Sequence, residues 1–272
     1  MNGEEKMKKR LDWNLTVGFG LSTVIILMMA IGFVYTPYDP NAMNIAERFQ
    51  APGFLHLCGT DNFGRDIFSR IMDGVKTTFL VALFTVGFGA AFGVVLGAFA
   101  GYHGRWIDEV IMRLSDALTA FPGVLLALVF VTVLGQGKYP MVLALGLIFI
   151  PSFARITRSG FLQIKEEEFV KSARVFGAGS LRIMFVHILP NIYPSLLSAV
   201  TIGFSNAILA EAVMSFLGFG IQPPDPSWGR MLSEAQAYLF NAPWYALAPG
   251  LMIVITVLGL NFIGEGLRKT YG

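Results

Sequence analysis

The sequence is short of charge, of cysteine and of histidine, and each shortage removes a class of explanation. Only 14% of its 272 residues are charged, where a soluble globular domain carries roughly 25%. A chain so poor in charge, 54% hydrophobic and with a mean hydropathy of +0.62, reads as a membrane protein. Lys and Arg number 20 against 18 Asp and Glu, so no one-signed field points to nucleic acid or a polyanion as partner. Cys58 has no second cysteine to pair with, and one cysteine with three histidines is too thin a ligand set for structural zinc or an iron–sulfur cluster. No G-x-x-x-x-G-K-[ST] occurs, because Gly137-Lys138 is followed by Tyr139, so ATP is not expected on a P-loop of this chain. His56, His103 and His187 fall on separate segments, which argues against a Ser-His-Asp arrangement. No catalytic residue, metal or cofactor is expected here, and the chain is not expected to be an enzyme.

What is abundant is long uncharged sequence. Stretches free of Asp, Glu, Lys and Arg run over Trp13–Tyr38, Thr77–Gly104, Ala117–Gly137, Tyr139–Ala154, Ile183–Ala210 and Ala235–Gly264. An α-helix needs ~20 apolar residues to cross ~30 Å of hydrocarbon. Six helices are therefore predicted, the short fourth one spanning if Lys138 and Arg155 snorkel to the two interfaces. Continuous runs such as Val124–Val133 lack the alternation of a β-barrel strand, so the fold class is all-α. The first run, preceded by Lys6, Lys8, Lys9 and Arg10, is too long for a signal-peptide core and lacks a small-x-small cleavage site, which predicts a retained first helix. With the N-terminus in the cytoplasm, 14 of the 20 basic residues fall inside and only Arg48, Arg65, Arg70, Lys76, Lys138 and Arg230 outside. The positive-inside bias thus predicts a multi-pass protein of the cytoplasmic membrane with both termini cytoplasmic.

The expected organisation is a cytoplasmic tail over 1–12, a first span over 13–38, an outer loop with an interfacial helix over 39–76, and a core of five spans over 77–270. Within that core the segment 155–190 is a cytoplasmic loop. Its Phe169, Ala173 and Phe176 form one apolar edge, Gly177-Ala178-Gly179 breaks the helix, and Ser180 can cap a second one carrying Leu181, Met184, Phe185 and Ile188 until Pro190 ends it. Such an amphipathic pair either packs on the protein's own helix ends or docks on a cytoplasmic partner. In the second span Gly89, Gly93, Gly97 and Gly101 recur every fourth residue and predict close helix packing. The run from Gly87 to Gly93 is not a dinucleotide fingerprint, its third glycine being one residue late and its setting an apolar helix. Glu211, in the fifth span, is a candidate for a polar pathway or a packing bond.

The loop resembles the signature of binding-protein-dependent ABC importer permeases, in which Glu-Ala-Ala is followed by three residues, a Gly, nine residues and Ile-x-Leu-Pro. Here the spacing is kept over Lys171-Ser172-Ala173, Gly177 and His187-Ile188-Leu189-Pro190, with Lys171, Ser172 and His187 departing from the pattern. Two further motifs, Gly59-Thr60-Asp61-x-x-Gly64-Arg65-Asp66-x-x-Ser69-Arg70 and Glu211-Ala-x-x-Ser215-Phe-Leu-Gly218-x-Gly220-x-Gln-Pro223-Pro224-x-Pro-Ser-Trp228-Gly229, are similar to the second permease subunit of dipeptide and oligopeptide importers. The resemblance runs from about residue 13 to 270. It implies a type I importer permease fold, a second homologous permease, two ABC ATPase subunits that use ATP and Mg, and an extracytoplasmic solute-binding protein. It also implies that the loop around Gly177 and Ala178 couples to an ATPase and that Gln222–Trp228 lies at the outer mouth. A nickel or metal-chelate importer permease is the alternative within the family, and a stand-alone secondary transporter the alternative outside it.

Overall fold

The computed structural model describes residues 13–271, so the basic tail expected over 1–12 lies outside the described residues. The described chain is helical: α1 (Trp13–Val34), α2 (Ile67–His103), α3 (Arg105–Thr119), α4 (Gly123–Leu134), α5 (Lys138–Ile164), α6 (Glu168–Val175), α7 (Ser180–Phe216), α8 (Trp228–Ala235) and α9 (Pro243–Tyr271). Five of these, α1, α2, α5, α7 and α9, are long and apolar enough to cross a membrane, and the count reaches six if α3 and α4, bent by 90° at their junction, are taken as one span. One end of the bundle carries residues 38–66 and 217–242 and is called the cap end below. The opposite end carries α6 and the turn after it.

Several expected boundaries move, each for a local reason. The first helix stops at Val34, ahead of Pro37 and Pro40. No separate interfacial helix precedes the second span: the Asp66 carboxylate caps α2 by accepting from the Ser69 N–H at 2.7 Å, and the helix runs unbroken from Ile67. The expected third span, Ala117–Gly137, is interrupted because Pro122 offers no N–H and drives Phe121 out of the helical region. Ahead of it α3 escapes a search for uncharged runs, since Asp108, Glu109 and Arg113 lie on it. The fourth span is long, α5 extending to Ile164, so only residues 165–179 of the expected loop 155–190 lie outside α5 and α7. Ser180 does not cap α7; Gly179 is the N-cap, without a side-chain bond. Pro190 does not end a helix but sits in the 3₁₀ turn Leu189–Ile192, which follows a π-helical turn over Ile183–Ile188 and leads straight into Tyr193.

The four-residue glycine stripe makes the central contact. Added Cβ atoms at Gly89, Gly93 and Gly101 would lie 2.6 Å from Phe149, Phe153 and Phe161 Cβ, and one at Gly97 would lie 2.3 Å from the Ala154 carbonyl oxygen. Backbone therefore meets backbone between α2 and α5, and the phenylalanines of α5 seat over the glycines. Gly87, on another face of α2, has open space around it. Gly97→Val should force the two helices apart, costing ~1–3 kcal/mol or more by overpacking. Gly87→Val adds a β-branched side chain at a comparable helical position without that clash. Thermal unfolding in detergent should show a large loss for the first variant and a small one for the second; equal losses would remove the close contact as the cause.

Candidate functional site

The resemblance points to two regions, the turn after α6 and the cap end, and their geometries differ in kind. At the turn, α6 ends in a Schellman arrangement. Gly177 takes φ +82°, its N–H donates to the Arg174 carbonyl at 3.0 Å, and the Ala178 N–H donates to the Ala173 carbonyl at 3.0 Å. The buried residue of α6 does not lie on the apolar edge of Phe169, Ala173 and Phe176. Val170 is the residue fully buried, packed with Ile183, Met184, Ile188, Ala98 and Phe161, while Ala178 and Leu189 lie partly buried around that cluster. Outward stand Val175 at 85% and Phe176 at 89% exposure, with Leu181 at 61%. The helical repeat explains this, because Val175 lies about 140° from Val170 on a 3.6-residue wheel and Phe176, just past the helix end, lies about 120° from it. Lys171 and Ser172 are exposed, and Lys171 Nζ pairs with Glu168 Oε1 at 3.1 Å. His187 is half-buried, its carbonyl accepting from Asn191, and Pro190 is exposed. The turn is an apolar knuckle on a buried footing.

At the cap end the motif from Gly59 to Arg70 folds into a compact, largely buried turn. The Asp61 carboxylate accepts from the backbone N–H groups of Phe63 and Arg65 at 2.8 and 2.9 Å and from the Arg65 side chain. Thr60 accepts from the Gln50 N–H at 2.8 Å and donates to the Glu47 carbonyl. Asp66, besides capping α2, bonds His56 Nδ1 at 2.9 Å. Gly64 is required by its φ of +74° and by the Asn44 carbonyl pressed against it, and Gly59 is wedged against Trp244. The network closes on Glu234 of α8, whose Oε2 accepts from Arg65 at 3.0 Å, Tyr245 at 3.1 Å and Arg70 at 3.5 Å, while Oε1 accepts from Arg230 at 3.2 Å. Burial works against the Arg65 charge, but the Asp61 and Glu234 carboxylates outweigh it and hold the guanidinium protonated above its ordinary range. Cys58 is half-buried beside this turn, and burial together with Asp66 pushes its thiol pKa up, which keeps it unreactive.

The second motif is another buried joint. Glu211, in the last two turns of α7 rather than at its middle, has no exposed surface. Its carboxylate accepts from Ser215 at 2.7 Å and Thr78 at 3.2 Å, and the Ser227 side chain is a third partner. Trp228 is fully buried and donates to the Ile71 carbonyl at 3.2 Å, so it is no part of an exposed mouth. Pro223 and Pro224 are exposed. Gly229 lets α8 lie directly on the Ala212 backbone. Glu234, Tyr245, Arg230 and Thr78 were missed by sequence reasoning, while Ser227 stood within the quoted motif without a role. Arg65 and Glu234 are 169 positions apart, and the only signal was a loop holding buried-type motifs with two arginines in need of anions.

Among the described residues no group of three or more His, Cys, Asp or Glu is placed to hold a metal ion. The cap network joins Arg65, Arg70 and Arg230 to Asp61 and Glu234, and its dependence on Glu234 can be tested. Glu234→Gln leaves Arg65 and Arg70 buried with one fewer carboxylate, and breaking a buried pair costs ~3–5 kcal/mol. Arg230→Gln removes a partly exposed partner worth ~1 kcal/mol or less. Thermal unfolding of the purified chain should separate the two variants clearly, and similar small losses would show that the network is not the clasp of this end.

Comparison with known proteins agrees with this architecture. Residues 93–270 match the family described as binding-protein-dependent transport system inner membrane component. A dipeptide transport system permease protein of Alkalihalophilus pseudofirmus is 42% identical over 252 residues, covering 93% of this chain and 83% of that protein. A glutathione transport system permease protein of Pectobacterium atrosepticum is 39% identical over 266 residues, covering 97% and 88%. The permease of a methionine ABC transporter in an inward-facing conformation superposes with a TM-score of 0.60 at 18% identity, over 73% of this chain and 94% of that one, a likeness of fold. With its all-α, multi-pass architecture and a match across most of its length, the chain belongs to the binding-protein-dependent transport system inner membrane component family, the permeases of ABC importers.

Proposed function

We propose that this chain is one of two homologous permeases in an ATP-driven importer, forming half of a pathway for di- or oligopeptides delivered by an extracytoplasmic binding protein. The observation that carries the reading is the knuckle after α6. Val175 and Phe176 are almost fully exposed, yet the turn that presents them is fixed by the Schellman bonds and by Val170, Ile183 and Met184 beneath. Exposed apolar side chains on a rigid footing suit a groove on another protein better than a solvated loop. The knuckle has the spacing of the importer signature, and relatives named for dipeptide and glutathione transport match more than nine-tenths of the chain. In this reading the knuckle is cytoplasmic and takes up the movement of an ATPase, Lys171 and Ser172 adjusting local contacts. ATP and Mg act on those ATPase subunits. The termini lie in the cytoplasm, in keeping with the placement of the basic residues. Glu211, sealed from solvent by three hydroxyl groups, is assigned to packing.

The direct test is affinity purification of the tagged chain from its native membrane in mild detergent, followed by mass spectrometry. Recovery of a second permease and P-loop ATPases is expected; the chain alone, where a control complex survives, overturns the reading. Phe176→Asp should abolish that recovery while leaving the chain's own stability within ~0.5 kcal/mol, because the side chain touches almost nothing. Gly177→Ile has space for its side chain but strains the turn by ~1–2 kcal/mol through the positive φ. Uptake of labelled peptide should fall while the variant still reaches the membrane, and normal uptake would disconnect the turn from transport.

A further inference from the structure

The contact face of α2 changes character at Gly89, and a groove opens beside the change. From Gly89 to Gly101 the helix meets α5 backbone to backbone. One and two turns earlier the same face carries Thr85 and Val81, both buried, and Val81 packs on Met141 and Leu145 of α5. Side chains now stand between the helices and hold their axes at ordinary separation. Flanking this stretch is a groove of about 830 Å³, walled by Leu80, Leu83 and Phe84 of α2 and by Val142 and Leu143 of α5. Leu83 and Phe84 are more than half exposed. Gly87 lies in the groove with nothing within 4 Å of an added Cβ, so here a missing side chain leaves space and seats no neighbouring helix.

The rim of the groove is charged. Lys138, the first residue of α5, and Asp225, from the cap-end segment, stand 4.0 Å apart with 49% and 56% of their side chains exposed. Lys138 begins an apolar span and its Nζ lies 5.4 Å from the centre of the Tyr139 ring, so the rim sits where the helix meets the membrane surface, the level of cationic and aromatic anchors. An exposed pair at this separation is held weakly, and each member has room for a further partner of opposite charge. A lipid chain gains no hydrophobic energy from an apolar groove that it lacks among other chains. Shape therefore admits the chain, and the headgroup must supply any preference. A cation beside an anion matches a headgroup that carries both a phosphate and an ammonium with N–H groups to donate. A glycerol headgroup has no cation for Asp225, and a choline headgroup has no N–H. We propose that this groove binds one molecule of phosphatidylethanolamine, an acyl chain lying along Leu83, Phe84 and Gly87, the phosphate on Lys138 and the ammonium on Asp225. The assignment is independent of what the chain transports.

Native mass spectrometry of the tagged complex, extracted in mild detergent and exposed to equal amounts of phosphatidylethanolamine, phosphatidylglycerol and phosphatidylcholine, reads the preference. Retention of the ethanolamine lipid severalfold above each of the others is expected. Asp225→Asn should bring it level with the glycerol lipid, Lys138→Gln should lower both, and Gly87→Leu, which fills the groove, should abolish the preference. Equal retention of the three lipids by the unsubstituted complex, or an undiminished preference in Gly87→Leu, overturns the site and leaves annular lipid only. Replacing Phe84 by p-benzoylphenylalanine and irradiating native membranes distinguishes lipid from protein as the occupant. An adduct with the mass of phosphatidylethanolamine is expected; cross-linking to another polypeptide, or no lipid adduct, overturns the proposal.

Discussion

The close approach of α2 and α5 is the contact on which the remaining architecture depends. Four glycines spaced one turn apart remove the side chains that would hold two helices at ordinary separation, and the backbones of Ala154 and Arg158 come against them. Between lipid-facing helices there is no hydrophobic gain to be had, so affinity comes from packing, and packing improves as the axes converge. Once α2 and α5 are fixed, Val86, Phe153, Ala207 and Ile208 place α7 across them, and Ile25, Val75 and Ile253 bring α1 and α9 onto the same assembly. The length of α2, 37 residues, carries this pair from the cap-end network to the cluster beneath the knuckle.

The two ends meet polar demands in different ways. At the cap end, arginines and carboxylates are buried together and each is supplied with several partners, which joins the turn at 59–66 to α8 across most of the chain. A buried ion pair contributes little net stability against an apolar core of equal volume, but it punishes any arrangement that leaves one member alone. Geometry at this end is therefore specified more than it is strengthened. At the opposite end Arg155 and Arg158 reach from α5 to Asp116 and Asp108 of α3, exposed or half-exposed pairs that steer a helix without sealing it.

How far the sequence revealed this depended on whether the evidence was periodic or distant. Apolar runs located the bundle, and the four-residue glycine repeat identified the packing face of α2 correctly, because both are local patterns with one physical meaning. Counting uncharged residues failed where helices carry charge on one side: α3 was passed over, and the part of α5 from Arg155 on was read as loop because Arg155 and Arg158 interrupt its uncharged run. The knuckle was placed by the position of Gly177, but the direction of its apolar edge was left open, since apolar residues lie on more than one side of α6 and only the contact of Val170 with Ile183 and Met184 shows which side is buried. The motif residues at the cap end were identified, yet Glu234 was not, because nothing local to α8 announces that two arginines far upstream converge on it.

One helix connects the knuckle with the α3–α4 joint. Phe161 of α5 belongs to the cluster that seats Val170, Ile183 and Met184, while Arg158 and Arg155, one and two turns earlier, hold α3 and bond Thr119 at the joint. α5 is continuous across this stretch, so a shift applied at the knuckle is carried along a rigid rod and not dissipated in a loop. Where it arrives, the α3–α4 corner is met by salt bridges on flexible side chains. Coupling of this kind needs an element with two arrangements. The bent pair supplies the natural candidate, because α3 is tied to α5 through the side-chain pairs of Arg155 and Arg158, whereas sliding α2 on α5 would drive Phe149, Phe153 and Phe161 out of their glycine seats. The bundle is thus held backbone to backbone along its central pair and through side chains at the α3–α4 corner.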